Sequence, residues 1–260
     1  MSNESLAGKA YVVTGSSSGV GAATALALAA RGASVLINCV RSREAADDVA
    51  ARCKAAGGDA IVAAGDVADD AACRALAQAA LKQWGRIDGL VNNAGATRFV
   101  AMHDLGGIDA ADFQSIYAVN TVGAFQMVRA CEPALRAAGG AVVNVSSIAS
   151  QDGLGSSIAY AASKGALNSL TLALARALGP QVRVNAVLPG FIETPWLRRG
   201  LGERYEHFRS TYRAQAALDA VLSPEDVADA IVYLLGSPKL TGQLLRLDAG
   251  RGIGRSAPAR

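Results

Sequence analysis

The chain is short of cysteine, histidine, aromatic residues and charge, and each shortage excludes something. Its four cysteines, Cys39, Cys53, Cys73 and Cys131, are widely spaced without a Cys-x-x-Cys pair, and His103 and His207 are the only histidines. Neither a zinc site nor a disulfide framework is expected, so no metal is assigned. No apolar run is long enough to span a bilayer, and Met-Ser-Asn-Glu-Ser leads to a strand at Ala10 without the basic and apolar regions of a signal peptide. A reducing cytoplasm is the expected location, with no membrane partner. The net charge is +3 over 260 residues and the basic residues are dispersed, which gives no footprint for nucleic acid. Arg198-Arg199 reads as solvated surface.

What is present is apolar and small: 51% of residues are hydrophobic, with 28 glycines and many alanines, which suits helices packed closely on a sheet. Short Val, Ile and Leu runs recur between longer Ala-rich segments. They begin at Tyr11, Val35, Ala60, Leu90, Ala141, Val182 and Leu244, which makes seven strands. Unbroken apolar runs suit strands covered on both faces, and the intervening segments are long enough for crossover helices. The expectation is an α/β fold, a single-domain doubly wound (Rossmann) architecture over residues 1–260 with a seven-stranded parallel sheet between helices. Helices are expected over Gly21 to Arg31, Asp70 to Trp84 and Tyr160 to Leu178, closed by Gly32, by Gly85 and by Gly179-Pro180. Ser223-Pro224-Glu225-Asp226 reads as a helix start. Residues 191–222 are aromatic and arginine-rich without a clear strand, and read as a lid of one or two short helices.

Two clusters carry chemistry. The first strand runs into Thr14-Gly15-Ser16-Ser17-Ser18-Gly19-Val20-Gly21, which opens an Ala-rich helix. Glycines there let the backbone approach a pyrophosphate, and the helix N-terminus offers free amides and the positive end of its dipole. Tyr160 and Lys164 stand four apart on a helix, hence on one face, thirteen residues after Ser147. An ammonium beside a phenol favours the phenolate and would bring an otherwise poor proton carrier toward neutral pH.

These motifs, taken in order, resemble the short-chain dehydrogenases/reductases, particularly the 3-oxoacyl-carrier-protein reductase and secondary-alcohol dehydrogenase type. The matching segments are Thr14 to Gly21, Asp66-Val67, Asn92-Asn93-Ala94-Gly95, Asn120, Ser147, Tyr160 with Lys164, and Pro189-Gly190 with Thr194. The resemblance implies a catalytic set of Asn120, Ser147, Tyr160 and Lys164. For the cofactor it implies Gly15, Ser17, Ser18, Gly19, Val20 and Gly21 at the pyrophosphate, and Asp66 and Val67 near the adenine. Asn93, Ala94 and Gly95 would run along the cofactor, Tyr160 and Lys164 would reach its ribose, and Pro189, Gly190, Ile192 and Thr194 would hold the nicotinamide end. Asn92 is expected to brace strands rather than touch ligand. Asn120 is expected to open its helix locally, or else to satisfy buried backbone groups.

The implied reaction is NAD(P)-dependent interconversion of a ketone and a secondary alcohol, with Tyr160 as acid/base and Ser147 holding the oxygen where charge develops. A non-catalytic dinucleotide-sensing or scaffold protein on the same fold is the alternative. The end of the second strand carries Cys39, Val40 and Arg41 rather than a carboxylate, which favours NADP(H) over NAD(H), with Arg41 or Arg43 facing a 2′-phosphate. Phe99, Trp196, Leu197, Leu201, Tyr205 and Phe208 would give the lid apolar faces, suited to a small-molecule carbonyl or secondary-alcohol substrate, and read equally as lid core or subunit interface. Carrier-protein docking is doubtful, although Arg136 lies nearby. The resemblance also implies a homodimer or homotetramer paired through the helices of Asn120 and Tyr160, with a tail from Arg251 that folds over a neighbour or frays.

Overall fold

The computed structural model describes residues 6–254. Its strands are β1 Ala10–Val13, β2 Ser34–Cys39, β3 Asp59–Ala64, β4 Gly89–Asn92, β5 Ala141–Val145, β6 Arg183–Pro189 and β7 Leu244–Leu247. All pair in parallel, in the order β3-β2-β1-β4-β5-β6-β7. Every apolar run picked out in the sequence is a strand, and the sheet is doubly wound as expected. The helices are α1 Gly19–Ala29, α2 Arg43–Ala55, α3 Asp70–Trp84, α4 Ala110–Tyr117, α5 Ala124–Ala138, α6 Ala149–Asp152, α7 Ile158–Leu178, α8 Pro195–Leu201, α9 Tyr205–Gln215 and α10 Pro224–Gly236.

Alternation along the strands sorts the core into two layers. Tyr11 and Val13 pack with Val35, Ile37, Val143 and the apolar residues of α1, α2 and α10. Val12 points the other way and packs with Leu36, Leu90, Val142 and residues of α3, α5 and α7. Each such side chain, fully buried, stabilises the fold by roughly 1.5–3 kcal/mol before the entropy of ordering it is counted.

Local signals set the helix ends. Asp69 caps α3 through its carboxylate on the Ala71 N–H at 2.9 Å, and Gly85 closes that helix at φ +71°. Ser223 and Asp226 form a reciprocal capping box that spans Pro224 at the start of α10. α1 starts two residues earlier than expected, at Gly19, so the glycine motif supplies its first turn. α7 also starts two residues early, at Ile158, because the Ser157 hydroxyl caps it by accepting the Tyr160 N–H at 3.2 Å.

Two features position the site. β1 and β4 are neighbours whose following connections leave in opposite directions along the sheet, and this switch point opens a crevice at the strand C-termini. The 191–222 excursion carries α8 and α9 and returns at an isolated parallel bridge between Ile192 and Leu222, so both its ends are pinned beside β6. Of the tail expected from Arg251 onward, residues 255–260 lie outside the described residues, as do residues 1–5.

Candidate active site

The crevice holds a cavity of about 880 Å3, and the floor of one end is the glycine turn. Thr14 and Asn93 lock the ends of β1 and β4 together. The Thr14 hydroxyl accepts the N–H groups of Asn93 and Ala94, both at 3.0 Å, and the Asn93 amide donates to the carbonyls of Thr14 and Gly15, both at 2.9 Å. Gly15 sits at φ +60° with the Ala94 backbone only 2.9 Å from where a Cβ would lie, so no other residue fits there. At Gly21 a Cβ would come within 2.5 Å of the Asn93 amide and 2.6 Å of the Gly15 carbonyl. This third glycine serves close packing beneath the turn rather than ligand contact.

Gly15, Ser18, Gly19, Val20, Asp66, Val67, Asn93, Ala94, Gly95, Pro189, Gly190, Ile192 and Thr194 all line the cavity. Ser17, Gly21 and Arg41 do not form part of its wall. At the end of β2, Asn38 and Val40 face the cavity, whereas Cys39 is buried in the core against α2. Arg43 is engaged elsewhere, its Nε at 3.0 Å from both carboxylate oxygens of Asp47 one turn along α2. Asn92 braces as expected, donating to the Asn144 side chain at 2.9 Å and to the Ala124 carbonyl at 3.2 Å.

Ser147, Tyr160 and Lys164 meet on the opposite wall. β5 ends at Val145, and the following turn sends neighbouring serines apart: the Ser146 hydroxyl is buried against the Lys164 carbonyl at 3.2 Å, while the Ser147 hydroxyl hydrogen-bonds the Tyr160 phenol. Of the two, Ser147 is the one that faces Tyr160. Lys164 is buried and donates from Nζ to the Val145 carbonyl at 2.8 Å, with Nζ 5.7 Å from the centre of the Tyr160 ring.

Asn120 occupies a π-helical turn, Ala118–Gly123, between α4 and α5, so the helix does open where the sequence suggests. Its amide is fully committed: Oδ1 accepts the Ala96 N–H at 2.7 Å, and Nδ2 donates to the Ala96 carbonyl and the Ser163 hydroxyl, each at 2.9 Å. The side chain therefore braces the loop after β4 against α7 and also satisfies buried backbone groups, so the two expectations for Asn120 are compatible.

Electrostatics at this wall differ from the expectation. Burial pushes the Tyr160 phenol up to about 12, with the hydrogen bond from Ser147 pulling weakly the other way. Burial pushes the Lys164 ammonium down to about 8. Desolvation penalises both charged forms and outweighs the attraction between them, so a phenolate is not stabilised here in the absence of ligand. The phenol keeps its proton at neutral pH, as a donor to a carbonyl requires.

The other end of the cavity lies under the 191–222 segment. Trp196 leans over the site, its ring 6.4 Å from that of Tyr160 and 5.7 Å from that of Phe99. Phe99, Leu197, Leu201 and Phe208 join it on the wall. Tyr205 takes the lid-core alternative: it is buried beneath the lid, 5.5 Å from the Phe191 ring and under the Arg198 guanidinium at 4.1 Å. Sequence reasoning misses several further wall residues: Met102, His103, Leu154, Arg199, Arg204 and Arg251. Arg251 arrives from beyond β7, stacks on Tyr212 at 4.4 Å and pairs with Asp152 at 3.1 Å.

The chain matches the family model described as enoyl-(acyl carrier protein) reductase over residues 15–251. It is 42% identical over 242 residues to the granaticin polyketide synthase ketoacyl reductase 2 of Streptomyces violaceoruber, covering 92% of this chain and 94% of that one. It is 37% identical over 252 residues to cis-4-hydroxycyclohexanecarboxylate dehydrogenase of Sinomonas cyclohexanicum, covering 95% and 98%. Among solved structures, a protein described as a short-chain dehydrogenase/reductase from Burkholderia xenovorans superposes with a TM-score of 0.89 at 40% identity, covering 96% of this chain and 100% of that one. With a doubly wound sheet, a glycine turn at its switch point and a Ser, Tyr and Lys cluster beside it, the chain belongs to the short-chain dehydrogenase/reductase family. It is an oxidoreductase that interconverts a ketone and a secondary alcohol with a nicotinamide dinucleotide.

Proposed function

We propose that the chain is an NADP(H)-dependent reductase in which Tyr160 passes a proton to the carbonyl oxygen held by Ser147. The observation that carries this reading is the meeting of Ser147, Tyr160 and Lys164 on one cavity wall, with Lys164 Nζ 5.7 Å from the centre of the Tyr160 ring. The glycine turn fits a dinucleotide, because Gly15, Ser18, Gly19 and Val20 line the cavity where α1 begins, and a helix N-terminus offers free amides to an anion. Bound there, the dinucleotide supplies or takes up the hydride. The proton comes from the chain: Tyr160 donates it in reduction and takes it back in oxidation, and Ser147 donates a hydrogen bond to the oxygen as negative charge grows. Lys164 would offset the charge left at the phenol and would help hold the ribose of a bound dinucleotide, while Asn120 positions the loop at Gly95 and Ala96.

Preference for NADP(H) over NAD(H) is supported by a β2 end that presents Asn38 and Val40, and no carboxylate, to the cavity, with exposed Arg41 next in the chain. The substrate is a small molecule of moderate hydrophobicity, as the Phe99, Leu154 and Trp196 wall suggests. Carrier-protein docking through Arg136 has little support, since that guanidinium is bonded to Glu132 and, at 2.8 Å, to Gln181. A dimer or tetramer built on the helices of Asn120 and Tyr160 is supported by the exposed apolar side chains of Phe113, Val122, Phe125 and Leu172. The single-domain reading over residues 1–260 is supported by the one continuous sheet, and the cytoplasmic one by four unpaired, buried cysteines. No helix among the described residues is long and apolar enough to cross a membrane.

The test is spectrophotometric and calorimetric together. The protein should oxidise NADPH in the presence of a ketone, and bind NADP at least tenfold more tightly than NAD. Equal affinity would remove the cofactor preference, and no NADPH or NADH oxidation across a broad ketone panel would remove the reaction.

A further inference from the structure

The charged side chains on the cavity wall are unevenly placed. Asp66, on the connection after β3, is the one carboxylate among the described lining residues, whereas the far end, under the lid, carries Arg199, Arg204 and Arg251. Most lid arginines are neutralised: Arg198 pairs with Glu206, Arg209 with Glu193 and Glu206, and Arg213 with Asp219. Arg251 is neutralised too, sharing Asp152 with Arg246, which also pairs with Asp248, so these two arginines and two aspartates balance. Arg199 and Arg204 make no ion pair among the described residues, and Glu203, the remaining lid carboxylate, does not line the cavity. Arg204 rests against the Phe208 ring, 5.9 Å from its centre. Arg199 follows Trp196 by three positions on α8, hence shares its face about 4.5 Å further along the axis.

Building on the reductase reading above, we propose that Arg199 and Arg204 form an anion subsite at the mouth of the substrate cavity, and that the physiological substrate is a carbonyl compound carrying an anionic group. The apolar wall of Phe99, Leu154 and Trp196 would then contact the carbon skeleton between the reacting carbonyl and that group. A guanidinium suits both a carboxylate and a phosphate, through its planar fork of donors. Two sources share this chemistry: a free oxo acid, or an acyl thioester whose pantetheine arm ends in a phosphate.

Matched probes separate them. Titration calorimetry on the complex with NADP would compare 4-oxocyclohexanecarboxylate with its methyl ester, and acetoacetyl-4′-phosphopantetheine with acetoacetyl-pantetheine. At least one anionic probe is expected to bind tenfold or more tightly than its uncharged partner, and the preferred pair names the source. The preference should shrink at 0.5 M salt, as expected for a solvent-exposed ionic contact. In the Arg199→Gln/Arg204→Gln double variant the ratio should fall to within twofold of unity, with the NADP dissociation constant moving less than twofold. Three results would overturn the subsite: no anionic preference in either wild-type pair, a preference that survives both substitutions, or loss of NADP binding in the variant, which would assign these arginines to the cofactor. Turnover is read separately. Anion selection in a protein that reduces no ketone would sink the reductase reading and leave the subsite standing, whereas reduction without selection would sink the subsite alone.

Discussion

The Phe99 ring lies against the α8 backbone at Gly200, occupying the space that a Cβ at that position would fill. The loop after β4 and the lid are thereby fitted to each other through an absent side chain. Gly200→Ala should push Phe99 aside and with it the Trp196 contact, because a ring end moves more readily than backbone. Steady-state kinetics should show KM for the ketone rising several-fold while NADPH affinity stays within twofold. If KM and affinity both hold, the fit between Gly200 and Phe99 does not shape the substrate cavity.

Tyr160→Phe removes the hydroxyl that faces Ser147 and keeps the ring. Turnover should fall by about 10²–10⁴-fold, the usual worth of a positioned general acid. NADPH binding, followed by fluorescence, should be little changed. Wild-type rates in this variant would assign the proton to another group.

The buried ammonium of Lys164 gives a pH signature in the ligand-free protein. Its value is lowered from 10.5 to about 8, so the folded state holds fewer protons than the unfolded state between those limits. The contribution of Lys164 is complete above about 10.5 and is lost as pH falls through 8, worth at most about 3 kcal/mol across that window. Melting temperatures of wild type and Lys164→Met, compared from pH 7 to pH 10, should therefore diverge in favour of wild type as pH rises. A constant difference would mean that the ammonium titrates normally.

Asn120→Ala deletes three hydrogen bonds and strands both polar groups of the Ala96 backbone. Urea denaturation should show a loss of about 2–3 kcal/mol, larger than for a surface substitution. Turnover should fall as well, because the loop carrying Gly95 loses its brace. A variant as stable as wild type would mean that water replaces the amide without loss.

What the sequence makes legible depends on the range of the interactions. The strands are readable because their apolar runs are local, and the family resemblance singles out Ser147 by its thirteen-residue offset from Tyr160. That the adjacent Ser146 hydroxyl is buried on the Lys164 carbonyl is not announced by either serine. The start of α7 escapes by two residues because its cap is a serine outside the Ala-rich run. Tyr205 reads equally as cavity wall or lid core because an aromatic residue in a lid gives no sign of which side it faces. Arg251 and Asp152 are 99 residues apart in sequence, and nothing local in either announces the other. The pKa balance is hidden for a related reason: the i, i+4 spacing of Tyr160 and Lys164 reports proximity, whereas desolvation depends on everything packed around them.

The wide turn at Ala118–Gly123 also bears on the angular phase of α5. It takes up one residue more than an ordinary helical turn over nearly the same rotation, so taking one residue out of this stretch closes it to an α turn and leaves α5 in phase. Met127, Cys131 and Leu135 then keep their contacts with the sheet. What such a deletion removes is the local opening that aims Asn120 at Ala96 and Ser163, so it should cost the brace rather than the fold.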